Sequence, residues 1–304
     1  MIKHITYPEI DKQKWDRCIE RSRHGKIYAY SWFLDRMSSR WEGLVEDDYK
    51  SVFPLTWNRK FGICYLYQPF FTQQLGLFSS GEITPDKVQG FLTAIPSRFR
   101  YIDISLNSSN FFQSDRYELF INRTCELDLK RGYDTINRNF SENTRRNIKK
   151  AGSHSLTVAG EGKPGELIDL FRNNMGRTLP RIRACHYGKL LSVMQEGIDR
   201  GIARIYTVYG EKGGLCAGAC FIFSNRRFVF LFSAANRESR DTGAMFLLVD
   251  RFIRDHAGED NILDFMGSNN ENLARFYKGF GSAETTYPGI KINNLPRPVK
   301  WLKK

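Results

Sequence analysis

Apolar residues recur along the chain with two different periods, and these periods predict a fold that mixes helices and strands. Spacings of three and four residues predict helices, whereas alternation and short apolar runs predict strands. The predicted helices cover residues 12–21, 31–37, 85–98, 134–151, 165–178, 187–200, 242–256 and 270–280. The predicted strands cover residues 41–46, 51–57, 64–67, 101–106, 124–129, 156–159, 203–209, 217–224, 228–235, 262–266 and 285–292. Short turns join several of these strands, which favours antiparallel pairing within an α+β fold.

The two halves of the chain share one order of elements. Each half predicts helices, an antiparallel meander, a further helix, a strand and then a turn rich in asparagine. The strand Tyr101–Leu106 is followed by NSSN, and the strand Ile262–Met266 is followed by GSNN. We therefore predict a duplicated α+β unit, with domains at residues 1–125 and 126–294 and a tail at 295–304. Ser141 is a candidate for a break or a second N-cap within the predicted helix 134–151.

Length and composition indicate a globular protein, because the 304 residues are 41% hydrophobic. The N-terminus has no apolar segment or cleavage site of the secretory kind, and no apolar run approaches the roughly 20 residues of a membrane span. We therefore expect a cytoplasmic protein with no membrane span. The six cysteines form no CxxC pair, and the five histidines show no ligand spacing, so the sequence predicts free thiols and no metal site.

The net charge of +13 raises the question of a polyanionic partner. Two basic clusters lie in the second half. Residues 138–150 hold Arg138, Arg145, Arg146, Lys149 and Lys150 against a single acid, Glu142. Residues 172–189 hold Arg172, Arg177, Arg181, Arg183 and Lys189 and no acid. Each cluster is either a solvated face or part of an anion-facing surface, and their occurrence in the same half favours the second interpretation.

A loop before the predicted helix 242–256 is a candidate phosphate site. Its sequence, NRESRDTGA at residues 236–244, places Arg240, Gly243 and Ala244 at a helix start. Unpaired backbone N–H groups at such a start can bind a phosphate, and an arginine adds charge-assisted hydrogen bonds. The alternative is a plain helix start with Asp241 or Thr242 as the N-cap.

These motifs together resemble a known enzyme family. The loop R-x-x-G-A at 240–244, followed by a strand and by N-x-x-L-A-R-F-Y-x-x-F-G at 270–281, resembles the acyl-CoA core of the GNAT acetyltransferase superfamily. With FSENTRRNIKKA at 140–151, the segment DFMGSNN…ARFYKGFG is more similar to FemAB-type transferases. The resemblance covers residues 126–294, and residues 1–125 match in layout as a degenerate first copy. It implies two tandem GNAT-like domains, each a mixed, mostly antiparallel sheet flanked by helices.

The resemblance also implies roles for particular residues. Arg240, Gly243 and Ala244 would take the pyrophosphate of an acyl-CoA, in the first instance acetyl-CoA, although Met245 stands where the family loop has a small residue. Asn270 would contact the same co-substrate. Tyr277 would be the general acid that protonates the leaving thiolate. Its alternative is a core aromatic; we expect it at the edge of a buried stripe formed by Leu273, Phe276 and Phe280.

The expected activity is transfer of an acyl group from a thioester to an amine on a small molecule or peptide. The loop Gln68–Ser80 would shape the acceptor site. An alternative is a FemAB-type enzyme that uses aminoacyl-tRNA and a cell-wall precursor, with the basic helix 138–150 contacting tRNA phosphates. Fem enzymes of that kind typically carry a lysine where this chain has Tyr277, with Lys278 one residue later, which favours the thioester. A third possibility is a non-catalytic nucleic-acid-binding protein on the same fold.

Overall fold

The structure is a computed structural model that describes residues 1–179 and 181–296. The chain divides into two compact units. Unit 1 comprises Met1–Asn122 and the described residues from Thr286 onward, and unit 2 comprises Arg123–Thr285. The division at 122/123 lies three residues from the predicted boundary at 125. The predicted second domain, 126–294, extends beyond unit 2. Of the predicted tail 295–304, residues 297–304 lie outside the described residues.

The described chain contains ten α-helices and thirteen strands, numbered here in chain order. The helices are α1 (Lys12–Arg21), α2 (Ser31–Met37), α3 (Pro85–Thr93), α4 (Tyr133–Arg138), α5 (Glu142–Gly152), α6 (Pro164–Asn173), α7 (Ala184–Asp199), α8 (Arg237–Thr242), α9 (Ala244–His256) and α10 (Glu271–Lys278). The strands are β1 (Ile2–Ile5), β2 (Trp41–Glu46), β3 (Ser51–Lys60), β4 (Ile63–Tyr67), β5 (Phe78–Ser79), β6 (Phe99–Ser105), β7 (Glu118–Asp128), β8 (Thr157–Ala159), β9 (Ala203–Tyr209), β10 (Leu215–Ser224), β11 (Arg227–Ala235), β12 (Ile262–Asp264) and β13 (Ala283–Asn293).

Unit 1 is built on strands in the spatial order β1-β2-β3-β4-β6, with the end of β13 beside β6. The pair β4/β6 is parallel and is connected through α3, whereas the other pairs along this order are antiparallel. Residues 289–293 of β13 pair with residues 101–105 of β6, which explains why the end of the chain groups with unit 1. The core of this unit is formed by buried aliphatic and aromatic side chains of β3, β6 and α3.

Unit 2 repeats this arrangement with strands in the order β8-β9-β10-β11-β12-β7. The pair β11/β12 is parallel and is connected through α9, and its neighbours are antiparallel. In each unit, an antiparallel meander is therefore followed by a helical connection and then by a strand that pairs in parallel with the last strand of the meander. The predicted α+β class, with a mixed and mostly antiparallel sheet in each part, is confirmed. The core of unit 2 lies between this sheet and the helices α9 and α10.

Several helix boundaries differ from the prediction for identifiable reasons. The predicted helix 134–151 is interrupted, as expected, at Ser141, whose Oγ accepts a hydrogen bond from the Thr144 amide. The predicted helix 242–256 corresponds to α9, which begins at Ala244. The residues before it form a separate helix, α8, which Asn236 caps, and Gly243 separates the two helices in a left-handed conformation, with φ +80°. The predicted helix 165–178 ends at Asn173 and continues as a 3₁₀ turn at Met175–Thr178.

Candidate active site

The strands β11 and β12 separate shortly after they pair. Their parallel register runs only from Arg227–Ile262 to Val229–Asp264. Beyond that point the Phe265 amide donates to the Cys125 carbonyl oxygen on β7 instead. Beyond the last residue pair, aromatic rings of these strands and of α10 pack together: Phe230 lies 5.9 Å from both Phe265 and Tyr277, measured between ring centroids.

Helix α10 buries a different face from the predicted one. Ala274, Tyr277 and Phe280 are 7%, 4% and 0% exposed, whereas Leu273 is 43% exposed. The expected stripe of Leu273, Phe276 and Phe280 is therefore wrong at Leu273. Ala274, Tyr277 and Phe280, spaced three residues apart, face the core. This orientation is fixed by Tyr277, which stacks on Phe265 with 4.7 Å between ring centroids.

Tyr277 is a core residue by position. Burial raises the pKa of its hydroxyl, and the neighbouring Cys125 raises that pKa further. The hydroxyl forms no hydrogen bond with the described residues. Its expected place at the edge of the stripe, with the ring half buried, is wrong, since Tyr277 is almost fully buried among Phe230, Phe265 and Phe276. A role for Tyr277 as the general acid stays a prediction.

The two asparagines between β12 and α10 hold the backbone of this turn. Asn269 Oδ1 accepts a hydrogen bond from the Arg123 amide at 2.9 Å. Asn270 is the N-cap of α10, and its Oδ1 accepts from the amides of Asn272 and Leu273 at 3.0 and 3.2 Å. These contacts account for both asparagines without a ligand. Contact of Asn270 with a co-substrate stays a prediction.

Helix α5 contacts the predicted pyrophosphate loop at Gly243. A Cβ atom added to Gly243 would lie 2.7 Å from the backbone carbonyl oxygen of Asn147, and Ala244 is fully buried. Gly243 therefore allows α5 to approach the start of α9 on the side where a Cβ atom would lie. Arg240, by contrast, is exposed and has no carboxylate partner among the described residues. Cofactor binding by Arg240, Gly243 and Ala244 stays a prediction.

The KGFG end of the motif has a related structural explanation. The Ser141 amide, at the N-cap of α5, donates to the Gly279 carbonyl oxygen at 2.8 Å. A Cβ atom on Gly279 would clash with Thr144 Oγ1, and one on Gly281, which has φ +77°, would lie 2.9 Å from the Cβ of Asn139. The two glycines thus allow the start of α5 to lie against the end of α10. The two motifs that together carry the FemAB resemblance are thus in direct contact.

An open cleft of about 710 Å³ lies where α5 meets α10. Polar and cationic side chains from three regions line this cleft: Arg123 of β7, Ser141 and Thr144 at the start of α5, and Arg275 and Lys278 of α10. Half-buried Phe246 and Phe276 add an aromatic wall, with 4.8 Å between their ring centroids. The sequence analysis missed Arg123 and Arg275 as site residues. A signal for Arg275 was present, because Arg275 and Lys278 are three residues apart on the helix face opposite Tyr277.

The charges in this cleft are mostly positive. Lys278 Nζ lies 2.7 Å from Glu284 Oε2, and Arg123 lies 3.9 Å from the same carboxylate. The hydrogen bond with Glu284 raises the pKa of Lys278, and Lys278 in turn lowers the pKa of Glu284. Arg275 has no carboxylate partner in the described part of the chain. Lys278 and Arg275 are therefore cations at neutral pH, suited to stabilising negative charge.

Neither a metal site nor a membrane-spanning helix is found within residues 1–179 and 181–296. No group of three or more His, Cys, Asp or Glu side chains there is placed to hold a metal ion. In the same residues, no helix combines the length and the apolar character that crossing a bilayer requires.

Part of the chain matches a known family model, and the whole chain resembles several solved structures. Residues 138–278 match the family model of the acetyltransferase (GNAT) domain. No curated protein matches the chain in sequence. Solved structures that cover nearly the whole chain include FemX (14% identity, 99% of both chains, TM-score 0.68), a conserved protein of unknown function from Bacteroides thetaiotaomicron (10% identity, 95% of this chain and 98% of that chain, TM-score 0.61), and L-PGS from Bacillus licheniformis (12% identity, 96% of this chain and 95% of that chain, TM-score 0.55).

These likenesses confirm the predicted fold of tandem GNAT-like domains, with unit 2 containing the residues that match the family model. At such identities the solved structures bear on the fold alone. The donor and the acceptor therefore have to be argued from the residues of the cleft.

Proposed function

Because residues 138–278 match the GNAT acetyltransferase family and the whole chain has the fold of FemX, we propose that it transfers an aminoacyl group from an aminoacyl-tRNA to an amine. This is the second of the activities that the sequence suggested. It replaces acetyl-CoA as our preferred donor.

The observation that carries this proposal is the position of α5 over the loop 240–244. In the thioester hypothesis, a pyrophosphate would bind the backbone at Gly243 and Ala244. The Asn147 carbonyl oxygen lies against Gly243, and Ala244 is fully buried. A carbonyl oxygen carries partial negative charge, so it would repel a phosphate at the same place. This contact disfavours a pyrophosphate on the side of Gly243 that faces α5.

The aromatic packing between β12 and α10 supports the same choice. The thioester hypothesis needs space for the donor's arm beside this strand and helix, where Phe230, Phe265 and Tyr277 pack. An aminoacyl ester at the end of an RNA strand can instead approach through the open cleft between α5 and α10. That cleft holds three cations, Arg123, Arg275 and Lys278, and one lining acid, Glu271.

Helix α5 extends the positive surface away from the cleft. Its first turn lines the cleft through Asn143 and Thr144, and its exposed side continues with Arg145, Arg146, Lys149 and Lys150. Lys149 and Lys150 have no carboxylate partner among the described residues. A row of cations that leads to a reaction site suits a phosphodiester backbone, which is bound mainly through its charge.

The residues of the cleft support a simple chemical scheme. The acceptor amine forms a bond to the carbonyl carbon of the aminoacyl ester, and the ester C–O bond then breaks. The leaving ribose oxygen takes up a proton, and the amine loses one. Negative charge develops on the carbonyl oxygen and on the leaving oxygen during these steps. Lys278 and Arg275 would stabilise that charge as fixed cations, and the raised pKa of Lys278 keeps it protonated at neutral pH.

The proposal can be tested by comparing two donors under one set of conditions. The protein is incubated with bulk tRNA charged with radiolabelled amino acids, or with radiolabelled acetyl-CoA, and with a dipeptide bearing a free lysine amine. Amide products survive mild base, whereas the tRNA ester does not. We expect label to enter the amide product from aminoacyl-tRNA and not from acetyl-CoA. A thermal-shift series with acetyl-CoA and CoA measures cofactor binding independently of the acceptor.

Two arginine variants make this comparison specific. Arg275→Ala changes an exposed cation in the cleft, and Arg240→Ala changes an exposed cation of the loop 240–244; neither arginine has a carboxylate partner in the described residues. The proposal predicts that Arg275→Ala lowers transfer from aminoacyl-tRNA about tenfold or more, whereas Arg240→Ala does not. The opposite pattern, together with saturable stabilisation by acetyl-CoA, would establish the thioester activity instead. Binding of tRNA irrespective of its amino acid, with no transfer from either donor, would support the non-catalytic alternative.

A further inference from the structure

A second feature of unit 2 lies outside the cleft, on residues 172–179 and 181–189. These residues form the end of α6, the 3₁₀ turn Met175–Thr178 and the first turns of α7. They include Arg172, Arg177, Arg181 and Arg183, all exposed, and no acid. Arg177, Arg181 and Arg183 have no carboxylate partner in the described part of the chain. We call these residues the basic segment.

The basic segment also exposes large apolar side chains. Among the described residues of unit 2, four large hydrophobic side chains are exposed, and three lie on this segment or one turn beyond it on α7: Met175, Leu179 and Leu191, at 51%, 39% and 42%. The fourth, Leu273, is on α10. Exposed apolar side chains interspersed with cations along one segment are typical of contact with a partner that offers both negative charge and an apolar interior.

A small pocket opens within the same segment. It has a volume of about 210 Å³ and is lined by Arg172, Gly176, Arg177, Ile182, Ala184 and Tyr187. Tyr187 is only 7% exposed, and its hydroxyl has no hydrogen-bond partner among the described residues. A Cβ atom on Gly176 would lie 3.0 Å from that hydroxyl, so glycine keeps the space beside it open. The Arg172 guanidinium lies 5.8 Å from the centroid of the Tyr187 ring.

The chemistry of this pocket fits a phosphate group. Two guanidinium groups supply charge and forked hydrogen-bond donors, and the Tyr187 hydroxyl supplies a further donor. The first turn of α7, a helix of 16 residues, contains no acid, so its positive end is not neutralised locally. A phosphate in the pocket would accept a hydrogen bond from the Tyr187 hydroxyl.

The exposed apolar side chains distinguish between two molecules that could supply this phosphate, a nucleic acid and a phospholipid. A nucleic acid would leave Met175, Leu179 and Leu191 in water, because its backbone offers them no apolar surface. A phospholipid bilayer would bury them at the boundary between head groups and acyl chains, at roughly 25 cal/mol per Å² of apolar area. The cations around them would face anionic head groups at the same time.

We propose that the basic segment is a docking surface for an anionic phospholipid bilayer, with the pocket at Tyr187 holding the phosphate of one lipid head group. The proposal is independent of the transfer reaction, since it concerns where the protein resides while it works. It can therefore hold or fail whichever donor the cleft uses.

The test is co-sedimentation of the whole protein with vesicles of phosphatidylcholine alone and of phosphatidylcholine with phosphatidylglycerol. We expect saturable binding to the vesicles that contain phosphatidylglycerol and little binding to the neutral ones. The variant Arg177→Glu with Arg183→Glu should weaken binding at least tenfold. The variant Met175→Ser with Leu179→Ser should lose the part of the binding that persists at high salt.

Lys149→Glu with Lys150→Glu is the matched control, because it changes the net charge by the same amount on a helix without exposed large apolar side chains. It should retain binding within about twofold. Circular dichroism establishes that each variant is folded. Absence of binding to anionic vesicles would overturn the proposal, as would equal losses in the basic-segment and control variants. A loss of tRNA binding in Arg177→Glu with Arg183→Glu, without loss of vesicle binding, would assign the surface to nucleic acid instead.

Discussion

Gly243 packs against the backbone carbonyl oxygen of Asn147: a Cβ atom added to Gly243 would lie 2.7 Å from that oxygen. This contact joins α5 to the start of α9 and decides how the loop 240–244 is interpreted. From the sequence, the glycine looked like a place where a phosphate could approach. In the structure, the same lack of a side chain is used for packing between two helices.

The first prediction concerns that contact. Gly243→Ala should destabilise the protein by about 2–4 kcal/mol, because it adds left-handed backbone strain to a clash in a packed region. Gly201→Ala is the matched control: Gly201 has φ +70°, and a Cβ atom added there would have no neighbour within 4 Å. We expect Gly201→Ala to lower the free energy of unfolding by the backbone strain alone, about 1–2 kcal/mol. Urea unfolding of both variants measures the difference; equal costs would show that α5 does not press on Gly243.

The second prediction concerns the contact between α5 and α10 beside the cleft. A Cβ atom on Gly279 would clash with Thr144 Oγ1, whereas the backbone of Gly279 is right-handed, with φ −58°. Gly279→Ala should therefore destabilise the wild-type protein by about 1–3 kcal/mol through overpacking. The same change should cost much less in a Thr144→Ala background, where the hydroxyl is absent.

A double-mutant cycle measures this coupling, which we expect to be about 1 kcal/mol or more for side chains in direct contact. Thr144→Ser serves as the control background, because it keeps the hydroxyl. Additive effects of Gly279→Ala and Thr144→Ala would contradict the packing described for the start of α5.

Periodicity was sufficient to predict most of the elements. The predicted bounds of helix 12–21 and strand 203–209 coincide with those of α1 and β9, because each has a clear period and a clear end. Strand β1 was missed, since its four residues carry a weak pattern and are ordered by pairing with β2. The break at Gly243 was missed for a similar reason: local sequence allows the helix to continue, and tertiary contact with Asn147 favours the left-handed glycine.

The candidate site shows a different limit of prediction from sequence. The family motif indicated α10, which lines the cleft, but not the face of that helix that reaches the cleft. Both faces of that helix carry groups able to do chemistry, Tyr277 on one and Arg275 with Lys278 on the other. The choice depended on Phe265 and Phe230, which pack against Tyr277 from other elements. Contacts of that kind are set by the packed core and are not readable from spacing along one helix.

The third prediction concerns Tyr277. Its hydroxyl has no hydrogen bond with the described residues and lies within the core, so Tyr277→Phe should leave the free energy of unfolding unchanged within about 1 kcal/mol. Transfer should also remain within about threefold of the wild type. Turnover and urea unfolding measured on the same variant provide the test. A loss of about 100-fold in transfer with normal stability would restore the general-acid role that the family resemblance implies.

The last prediction concerns the role of Lys278, and it depends on the direction of its pKa shift. Glu284 raises the pKa of Lys278, whereas the nearby Arg123 opposes that shift. Glu284→Gln should therefore lower the pKa of Lys278 while leaving it protonated at pH 7.5. If Lys278 acts as a fixed cation, Lys278→Met should lower transfer about 100-fold, and Glu284→Gln should leave transfer within a few-fold.

A general base would behave differently, because only the neutral amine accepts a proton. Lowering the pKa of Lys278 would enlarge the neutral fraction at a given pH, and Glu284→Gln would then raise the rate of transfer. Arg251→Met is the control, since Arg251 is an exposed cation paired with Asp255 and is remote from the cleft lining. It should leave transfer unchanged. Rates for the four proteins at pH 7.5, with one acceptor and one donor, decide between the two roles: acceleration by Glu284→Gln would exclude the fixed cation.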